Sequence, residues 1–234
     1  MDRRITNAIR WIMDECLPPI IRDNKYFMYP FFYFWFKGKN IPEIMSFKSR
    51  VFSMNKDEFI DFYQRRTSLA KDRITDLSES SIQFMIERLD PSATTLIDVG
   101  CGNGYFLSRL KGTGLETWGC DVFDSAPFQH SRYVQGDVED LPFEDNQFDI
   151  VTSHHTLEHV IDLEKSISEL KRIARKQLMI VVPCQRYYYY TLDEHIRFFP
   201  YKELLESKIK LSKFECVKIK GDLVYIGKID DRSL

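Results

Sequence analysis

Residues 96–106 read LIDVGCGNGYF: a short apolar strand, an acid, and then a loop with glycine at every second position. Gly100, Gly102 and Gly104 allow the backbone to approach a ligand closely and to adopt angles that other residues resist. An apolar helix start follows at Tyr105, so the loop presents backbone N–H groups where a helix begins. A strand, a glycine loop and a helix in this order predict a nucleotide-type binding site.

The spacing of the glycines distinguishes this loop from two other nucleotide-binding loops. A P-loop requires Gly-Lys followed by Ser or Thr, and the chain contains no such tripeptide. A dinucleotide loop requires Gly-x-Gly-x-x-Gly, but Tyr105 occupies the position of its last glycine. With Asp98 two residues before Gly100, the loop resembles that of class I S-adenosylmethionine-dependent methyltransferases, in particular the type-11 and type-23 domain groups. An acid near the loop suits the ammonium and sulfonium charges of S-adenosylmethionine.

The resemblance implies further cofactor-binding residues at the ends of the following strands. Asp121, about 20 residues after the loop, would accept the ribose hydroxyls, with Asp124 as a weaker alternative. Asp137 would contact the adenine amino group, with Val138 beside the ring. The fourth predicted strand ends at the carboxyl edge of the sheet, where ligands bind in open α/β folds. The complete expected set is Asp98, Gly100, Gly102, Gly104, Asp121, Asp137, Val138, Ser153 and His154.

Strands and helices alternate after residue 76, which indicates a parallel sheet with helices on both faces. Residues 214–219 and 223–229 predict a terminal antiparallel hairpin, and residues 161–176 predict a helix with basic residues near its end. The expected fold is α/β, a seven-stranded Rossmann-like and mostly parallel sheet with an antiparallel terminal hairpin. We expect a methyltransferase domain at 76–234 and a helical, aromatic extension at 1–75.

Residues 26–36 read YFMYPFFYFWF and lie between Lys25 and Lys37. The run is shorter than the roughly 20 apolar residues that cross a bilayer. It could pack the extension onto the main domain, form a wall or lid over the substrate, or contact a membrane interface, which aromatic residues flanked by lysines suit. Together with the preceding Pro-Pro-Ile, it resembles N-terminal extensions of bacterial methyltransferases from polysaccharide gene clusters. This resemblance favours a glycosyl or lipid-linked acceptor.

Charge and cysteine usage limit the class of partner and the compartment. The formal net charge is −2 and the pI is about 6.2, which argues against a general attraction to nucleic acid. The Asn/Asp-Pro-Pro-Tyr/Phe motif of many amino-group methylases is absent. The five cysteines are odd in number and include no Cys-x-x-Cys pair, which indicates a reduced, cytoplasmic protein. We expect a small-molecule or glycan acceptor, no nucleic acid, and peripheral membrane contact only through the aromatic run.

Methyl transfer from a sulfonium requires alignment of donor and acceptor, and a hydroxyl acceptor also requires a base. Histidine is the usual base at neutral pH. The candidates are His155, after the fourth strand, and His195, in a DEHIRFF segment similar to one that borders the active site of related methyltransferases. A structural role for His195 remains equally open, and His130 is expected to be solvated. No metal is expected, although His155, Glu158 and His159 have a helical spacing that also suits a divalent ion.

These patterns together predict an S-adenosylmethionine-dependent methyltransferase that methylates a hydroxyl of a small molecule or of a glycan or lipid-linked sugar. A non-catalytic cofactor-binding subunit or scaffold is the alternative from another class. Nitrogen or carbon of a small metabolite is the alternative acceptor. Tyr187–Tyr190 fit either the lining of an acceptor pocket or a surface loop.

Overall fold

The computed structural model describes residues 11–65, 74–123 and 131–230. The chain divides into two compact units. The first combines Met1–Asp76 with Gln185–Phe198, and the second comprises Leu77–Cys184 and Phe199–Leu234. The sequence patterns did not indicate that residues 185–198 group with the N-terminal residues, and the predicted boundary after residue 75 stays a proposal.

In the first unit, residues 11–65 are mainly helical, whereas residues 185–198 form turns and irregular structure. Asn24 caps the helix that contains the aromatic run, Lys25–Trp35. Its Oδ1 atom accepts from the backbone N–H groups of Tyr26 and Phe27 at 2.9 and 3.1 Å. The spacing of Ile5, Ile9 and Ile12 predicts an amphipathic helix at the N-terminus, but Ile5 and Ile9 lie outside the described residues. A π-helical turn at Ile12–Cys16 and a 3₁₀ turn at Val51–Ser53 accompany five α-helices: α1 Pro19–Arg22, α2 Lys25–Trp35, α3 Ile41–Met45, α4 Phe47–Arg50 and α5 Lys56–Arg65.

The second unit is built on one seven-stranded sheet with the order β3-β2-β1-β4-β5-β7-β6. Pairs from β3 through β5 are parallel, whereas β7 pairs antiparallel with both β5 and β6. This topology confirms the predicted fold class. The strands are β1 Thr95–Val99, β2 Glu116–Asp121, β3 Arg132–Gln135, β4 Phe148–His154, β5 Ala174–Pro183, β6 Lys213–Ile219 and β7 Asp222–Lys228.

Both faces of the sheet are covered by apolar side chains. Because successive strand residues point to opposite faces, Ile97 joins one buried cluster and Leu96 the other. The first cluster includes Leu170, and the second includes Met85, so helices pack on both faces. The helices of this unit are α6 Glu79–Ile86, α7 Tyr105–Arg109, α8 Leu163–Ile173 and α9 Lys202–Ile209.

The predicted helix at 161–176 is wrong at its C-terminal end, because β5 begins at Ala174. Arg175 and Lys176 bind the buried carboxylate of Asp149 on β4, at 2.7 and 3.1 Å. Burial would raise the pKa of Asp149, but hydrogen bonds from Thr94, Arg175 and Lys176 hold it well below its ordinary value. Arg175 and Lys176 therefore anchor a strand to an acid on its neighbour, whereas Lys171 and Arg172 lie in the last turn of α8, as predicted.

Candidate functional site

The glycine loop joins β1 to α7, and its three glycines all have a positive φ: 77° at Gly100, 53° at Gly102 and 73° at Gly104. A Cβ atom at Gly100 would lie 2.0 Å from Oγ1 of Thr156, so the loop after β4 leaves no room for a side chain there. A Cβ atom at Gly102 would meet nothing within 4 Å. Gly100 therefore packs against the loop after β4, whereas the backbone at Gly102 is open to a ligand.

Asp121 ends β2 and binds the same loop. Its Oδ2 atom accepts from the Gly102 N–H at 2.8 Å, and its Oδ1 atom accepts from the Phe123 N–H at 3.1 Å. Burial raises the pKa of this carboxyl above its ordinary value, and the backbone hydrogen bonds oppose that shift. A carboxylate has about four lone-pair sites, so Asp121 retains acceptor capacity for hydroxyl groups such as those of a ribose.

Asp98 lies opposite Thr152 in the β1–β4 register and receives side chains from β4. Its Oδ1 atom accepts from Oγ1 of Thr152 at 2.9 Å and lies 3.1 Å from Nδ1 of His154. Because a carboxylate only accepts, His154 donates through Nδ1. The edge of the His154 ring packs against Phe106, with centroids 4.5 Å apart. Asp98 thus joins the central strands β1 and β4 through side-chain contacts.

Two buried polar atoms at the end of β4 have no hydrogen-bond partner within the described residues: Oγ of Ser153 and Nε2 of His154. Leaving such atoms unpaired costs free energy in a folded protein. The sequence had identified both residues as cofactor-binding candidates. Their unpaired atoms are what a site for a polar ligand would contain.

Asp137 and Val138 follow β3 in a tightly packed turn. Oδ1 of Asp137 accepts from the Glu139 N–H at 2.9 Å, and Val138 is buried. A Cβ atom at the preceding Gly136 would lie 2.9 Å from Sγ of Cys120. The adenine-binding role of Asp137 and Val138 stays a prediction. Asp124 and His130 lie outside the described residues.

These groups fit S-adenosylmethionine, the cofactor that the sequence resemblance implies. The open side of Gly102, the acceptor oxygens of Asp121 and the unpaired atoms of Ser153 and His154 suit a ligand with hydroxyl, amino and sulfonium groups. All are at the carboxyl edge of β1, β2 and β4, the edge at which open α/β sheets bind ligands.

His155 adopts a left-handed backbone conformation with φ 51° and is held by two acids. Nδ1 lies 3.2 Å from Oε1 of Glu158, and Nε2 lies 3.6 Å from Oδ1 of Asp222. Burial alone would lower the pKa of His155, but Asp222 and Glu158 raise it to about 10. Both acids favour the imidazolium form of His155, and this geometry does not support its predicted role as a general base.

The spacing of His155, Glu158 and His159 that suits a metal ion assumes a helix, but residues 155–159 are not helical. Residues 155–159 form a bend and a turn, and α8 begins only at Leu163. Asp162 caps α8, because its side chain accepts from the Lys165 N–H at 3.0 Å. His155 and Glu158 form an ion pair within this turn.

The first unit contains a buried polar centre around His195. Nδ1 of His195 lies 2.6 Å from Oε1 of Gln185 and 3.3 Å from Oδ2 of Asp193. Both neighbours are acceptors, so Nδ1 carries the proton and Nε2 is the basic nitrogen of the ring. An acid that fixes a histidine in this tautomer is the arrangement of a general base. The sequence had identified His195 but not its two partners.

Tyr187–Tyr190 are held within the first unit through their backbone. The Tyr187 carbonyl accepts from Nη2 of Arg22 at 3.1 Å, and the Tyr188 carbonyl accepts from Nζ of Lys48 at 2.7 Å. Burial lowers the pKa of Lys48 to about 7, although Asp193 and Asp23 oppose this shift. These tyrosines are thus integrated with the N-terminal helices, which the sequence had not indicated.

Comparison with known proteins agrees with this geometry. A family model described as a methyltransferase domain matches residues 97–182. The chain is 34% identical over 96 residues to a 2-phytyl-1,4-naphtoquinone methyltransferase of Trichormus variabilis, covering 35% of this chain and 42% of that protein. It is 30% identical over 111 residues to a malonyl-[acyl-carrier protein] O-methyltransferase of Pectobacterium atrosepticum, covering 44% of each. The chain thus spans less than half the length of these curated relatives.

The fold has a counterpart among solved structures. A chain from the complex of the Haloferax volcanii Trm112 methyltransferase activator with a methyltransferase superposes with a TM-score of 0.52 at 16% identity, covering 66% of this chain and 90% of that one. This similarity concerns the fold alone. Residues 97–182 thus match a methyltransferase domain, and the sheet order and the glycine loop agree with the class I S-adenosylmethionine-dependent methyltransferase fold that the sequence predicted.

Proposed function

We propose that this protein transfers a methyl group from S-adenosylmethionine to a hydroxyl of a small molecule or of a glycan or lipid-linked sugar. The observation that carries the proposal is the meeting of the open glycine loop, Asp121 and the unpaired atoms of Ser153 and His154 at one sheet edge. A relative whose name specifies O-methyl transfer supports a hydroxyl or carboxyl oxygen as the acceptor atom. The bound cofactor would supply the activated methyl group.

The proposed task of the second unit is to bind and orient the cofactor. Asp121 would accept the ribose hydroxyls while it holds Gly102 in place. Ser153 and His154 would supply their unpaired polar atoms, and Asp98 would keep the His154 ring in one orientation. Fixed alignment is the main requirement, because an in-line displacement gains much of its rate from holding the reacting atoms about 3 Å apart.

His195 is the residue that we propose removes the acceptor proton. Asp193 and Gln185 hold its Nδ1–H, so Nε2 would receive the proton from the hydroxyl. The Asp193 carboxylate would then stabilise the resulting imidazolium. A positioned base of this kind contributes roughly 10²- to 10⁴-fold to rate.

We propose a positioning role for His155. Its backbone N–H donates to the Val181 carbonyl at 2.9 Å, and its ring binds Glu158 and Asp222. These contacts fix both sides of Thr156, the residue against which Gly100 packs. His155 would therefore hold Thr156 against the glycine loop without touching the reacting groups.

Two measurements test the proposal in sequence. Calorimetry with S-adenosylmethionine should show saturable binding, and absence of binding at millimolar cofactor would refute the proposal. S-adenosylhomocysteine formation should then appear with a pool of hydroxylated aromatic compounds and glycans. Tight binding with no turnover on any acceptor class would instead favour a non-catalytic cofactor-binding subunit, and turnover only with amines would redirect the acceptor to nitrogen.

The location of the enzyme follows from the acceptor in this proposal. No helix in residues 11–65, 74–123 and 131–230 is long and apolar enough to cross a membrane. A lipid-linked acceptor would require the protein to reach the bilayer from the cytoplasmic side through a peripheral contact. The aromatic run at 26–36 is the proposed element for that contact, with residues 1–75 as the extension that carries it.

A further inference from the structure

Helix α2 presents aromatic side chains on both of its faces. Met28, Phe32 and Trp35 form the buried face. The opposite face carries Tyr26 and Phe34, which are 86% and 68% exposed. Tyr29, Phe31 and Tyr33 add to the exposed aromatic surface. A helix that is apolar all round is normally buried all round, so the outer face of α2 is a surface that requires a partner.

Within residues 24–40, all charged side chains are basic. Residues 24–40 contain Lys25, Lys37 and Lys39 and no acidic residue, and all three lysines are exposed. They lie at the two ends of α2, on either side of the aromatic side chains. A partner for this face must therefore accept apolar rings in its interior and present negative charge around them.

An anionic phospholipid surface has both properties. Tyrosine and other aromatic rings are enriched at the headgroup level, where an apolar body and a polar tip are both accommodated. Basic residues beside them gain from the negative potential of an anionic leaflet. The 11-residue helix is roughly 16 Å long, about half the thickness of the hydrocarbon core, so it would lie along the interface and not across it.

A second copy of the chain fits this face less well. In a two-fold contact the same patch meets itself, so the three lysines of one copy would approach those of the other. The segment offers no acid to offset that repulsion. Charge complementarity therefore favours the lipid surface.

We propose that the outer face of α2 docks in the headgroup region of an anionic bilayer, with Tyr26, Tyr33 and Phe34 inserted and the flanking lysines against lipid phosphates. This inference rests on the proposed function only in identifying the acceptor as lipid-linked. Binding of the α2 face to vesicles can be measured without methyl transfer.

The test is co-sedimentation of the full chain with vesicles of phosphatidylcholine alone and of phosphatidylcholine mixed with phosphatidylglycerol. We expect binding to the mixed vesicles, weaker binding to the neutral ones, and a decrease with added salt. Replacing Tyr26 and Phe34 by serine should weaken binding to the mixed vesicles on the order of tenfold or more. Lys25→Glu and Lys39→Glu should each weaken it by about fivefold or more.

Phe214→Ser is the matched control, because Phe214 is an exposed aromatic residue on β6 of the second unit. Its binding to vesicles should equal that of the unmodified chain. Thermal unfolding and S-adenosylmethionine binding measured on every variant separate lost folding from lost docking. Because cofactor binding is read independently, failure of the docking inference leaves the proposed function intact, and the reverse also holds.

Three outcomes would overturn the inference. The unmodified chain could fail to sediment with the mixed vesicles. The Tyr26/Phe34 variant could bind them as well as Phe214→Ser does. The chain could elute as a dimer that the Tyr26/Phe34 variant dissociates, which would assign the face to a second copy.

Discussion

Nδ1 of His154 lies 3.1 Å from Oδ1 of Asp98, so the acid of the glycine motif is bound by a side chain from the neighbouring central strand. Both side chains are buried, and Oγ1 of Thr152 donates to the same carboxylate oxygen at 2.9 Å. The carboxyl ends of β1 and β4 are therefore joined by charge-assisted hydrogen bonds directly beneath the loop. The glycine motif suggests that Asp98 balances the charge of a ligand, and the structure shows that Asp98 also accepts hydrogen bonds from β4.

Asp98→Asn keeps the size of this side chain but removes its charge and half of its acceptor capacity. We expect the free energy of unfolding to fall by about 1–3 kcal/mol, because buried donors on β4 lose part of their acceptor. Chemical denaturation measures the change. Thr152→Val, which removes only one neutral donor, should cost less, and an equal or larger loss in that variant would contradict the account.

Gly100→Ala tests the contact beneath the loop. The added Cβ atom would lie 2.0 Å from Oγ1 of Thr156 at a φ of 77°, so the loop must move and cofactor affinity should fall at least about tenfold. Gly112→Ala is the matched control, because Gly112 has a φ of 90° but an added Cβ atom would meet nothing within 4 Å. Adding Thr156→Ala to Gly100→Ala should restore part of the affinity. Equal affinity in the two single variants would show that the steric contact is irrelevant.

The pH dependence of stability tests the His155 ion pairs. The pKa of His155 is raised from an ordinary value of about 6.5 to about 10, so its stabilisation is complete below about pH 6.5. The stabilisation is lost as the pH rises toward 10. The difference in unfolding free energy between the unmodified chain and His155→Gln should therefore shrink across this window. A difference that is constant with pH would contradict the protonated state.

The unfolding free energies of the unmodified chain and of His155→Gln must be compared at each pH, because Lys48 titrates in the same range. Its pKa is lowered to about 7, so its deprotonation favours the folded state between about pH 7 and its ordinary value near 10.4. This contribution has the opposite sign to that of His155. It is common to both chains and cancels in the difference.

His195→Gln tests the proposed base. We expect the rate of S-adenosylhomocysteine formation to fall roughly 10²- to 10⁴-fold and the limb of the pH–rate profile assigned to the base to disappear. Asp193→Asn should lower the rate by weakening the hydrogen bond that sets the tautomer. Calorimetry should give unchanged cofactor affinity for both variants. Unchanged turnover in His195→Gln would leave His195 as a structural histidine.

Local patterns were sufficient for most of the second unit. The glycine loop, the end of β2 at Asp121 and the terminal hairpin were predictable because spacing and strand periodicity are properties of contiguous residues. The hairpin turn illustrates this, since Lys220 and Gly221 have φ values of 52° and 97°, the left-handed pair that a tight turn requires. The order of strands and helices then determined the parallel sheet.

Contacts between distant residues explain what the sequence did not reveal. The surroundings of His155 depend on Asp222, which reaches it only because β7 inserts next to β5. The end of α8 depends on Asp149, which draws Arg175 into β5. The grouping of residues 185–198 with the N-terminal helices depends on single hydrogen bonds such as that from Lys48 to the Tyr188 carbonyl. No periodicity or motif records these pairings.

The central claim is that the sheet edge at Asp121 binds S-adenosylmethionine, and calorimetric titration of Asp121→Ala tests it most directly. Loss of charged hydrogen bonds should weaken binding by about 1.5–3 kcal/mol, roughly 10- to 150-fold in affinity. Asp145→Ala is the control, because it removes an exposed acid in the same unit and should leave affinity unchanged. Tight binding to the unmodified chain with selective weakening in Asp121→Ala is the predicted result. Equal affinity in the unmodified chain and Asp121→Ala would contradict the account.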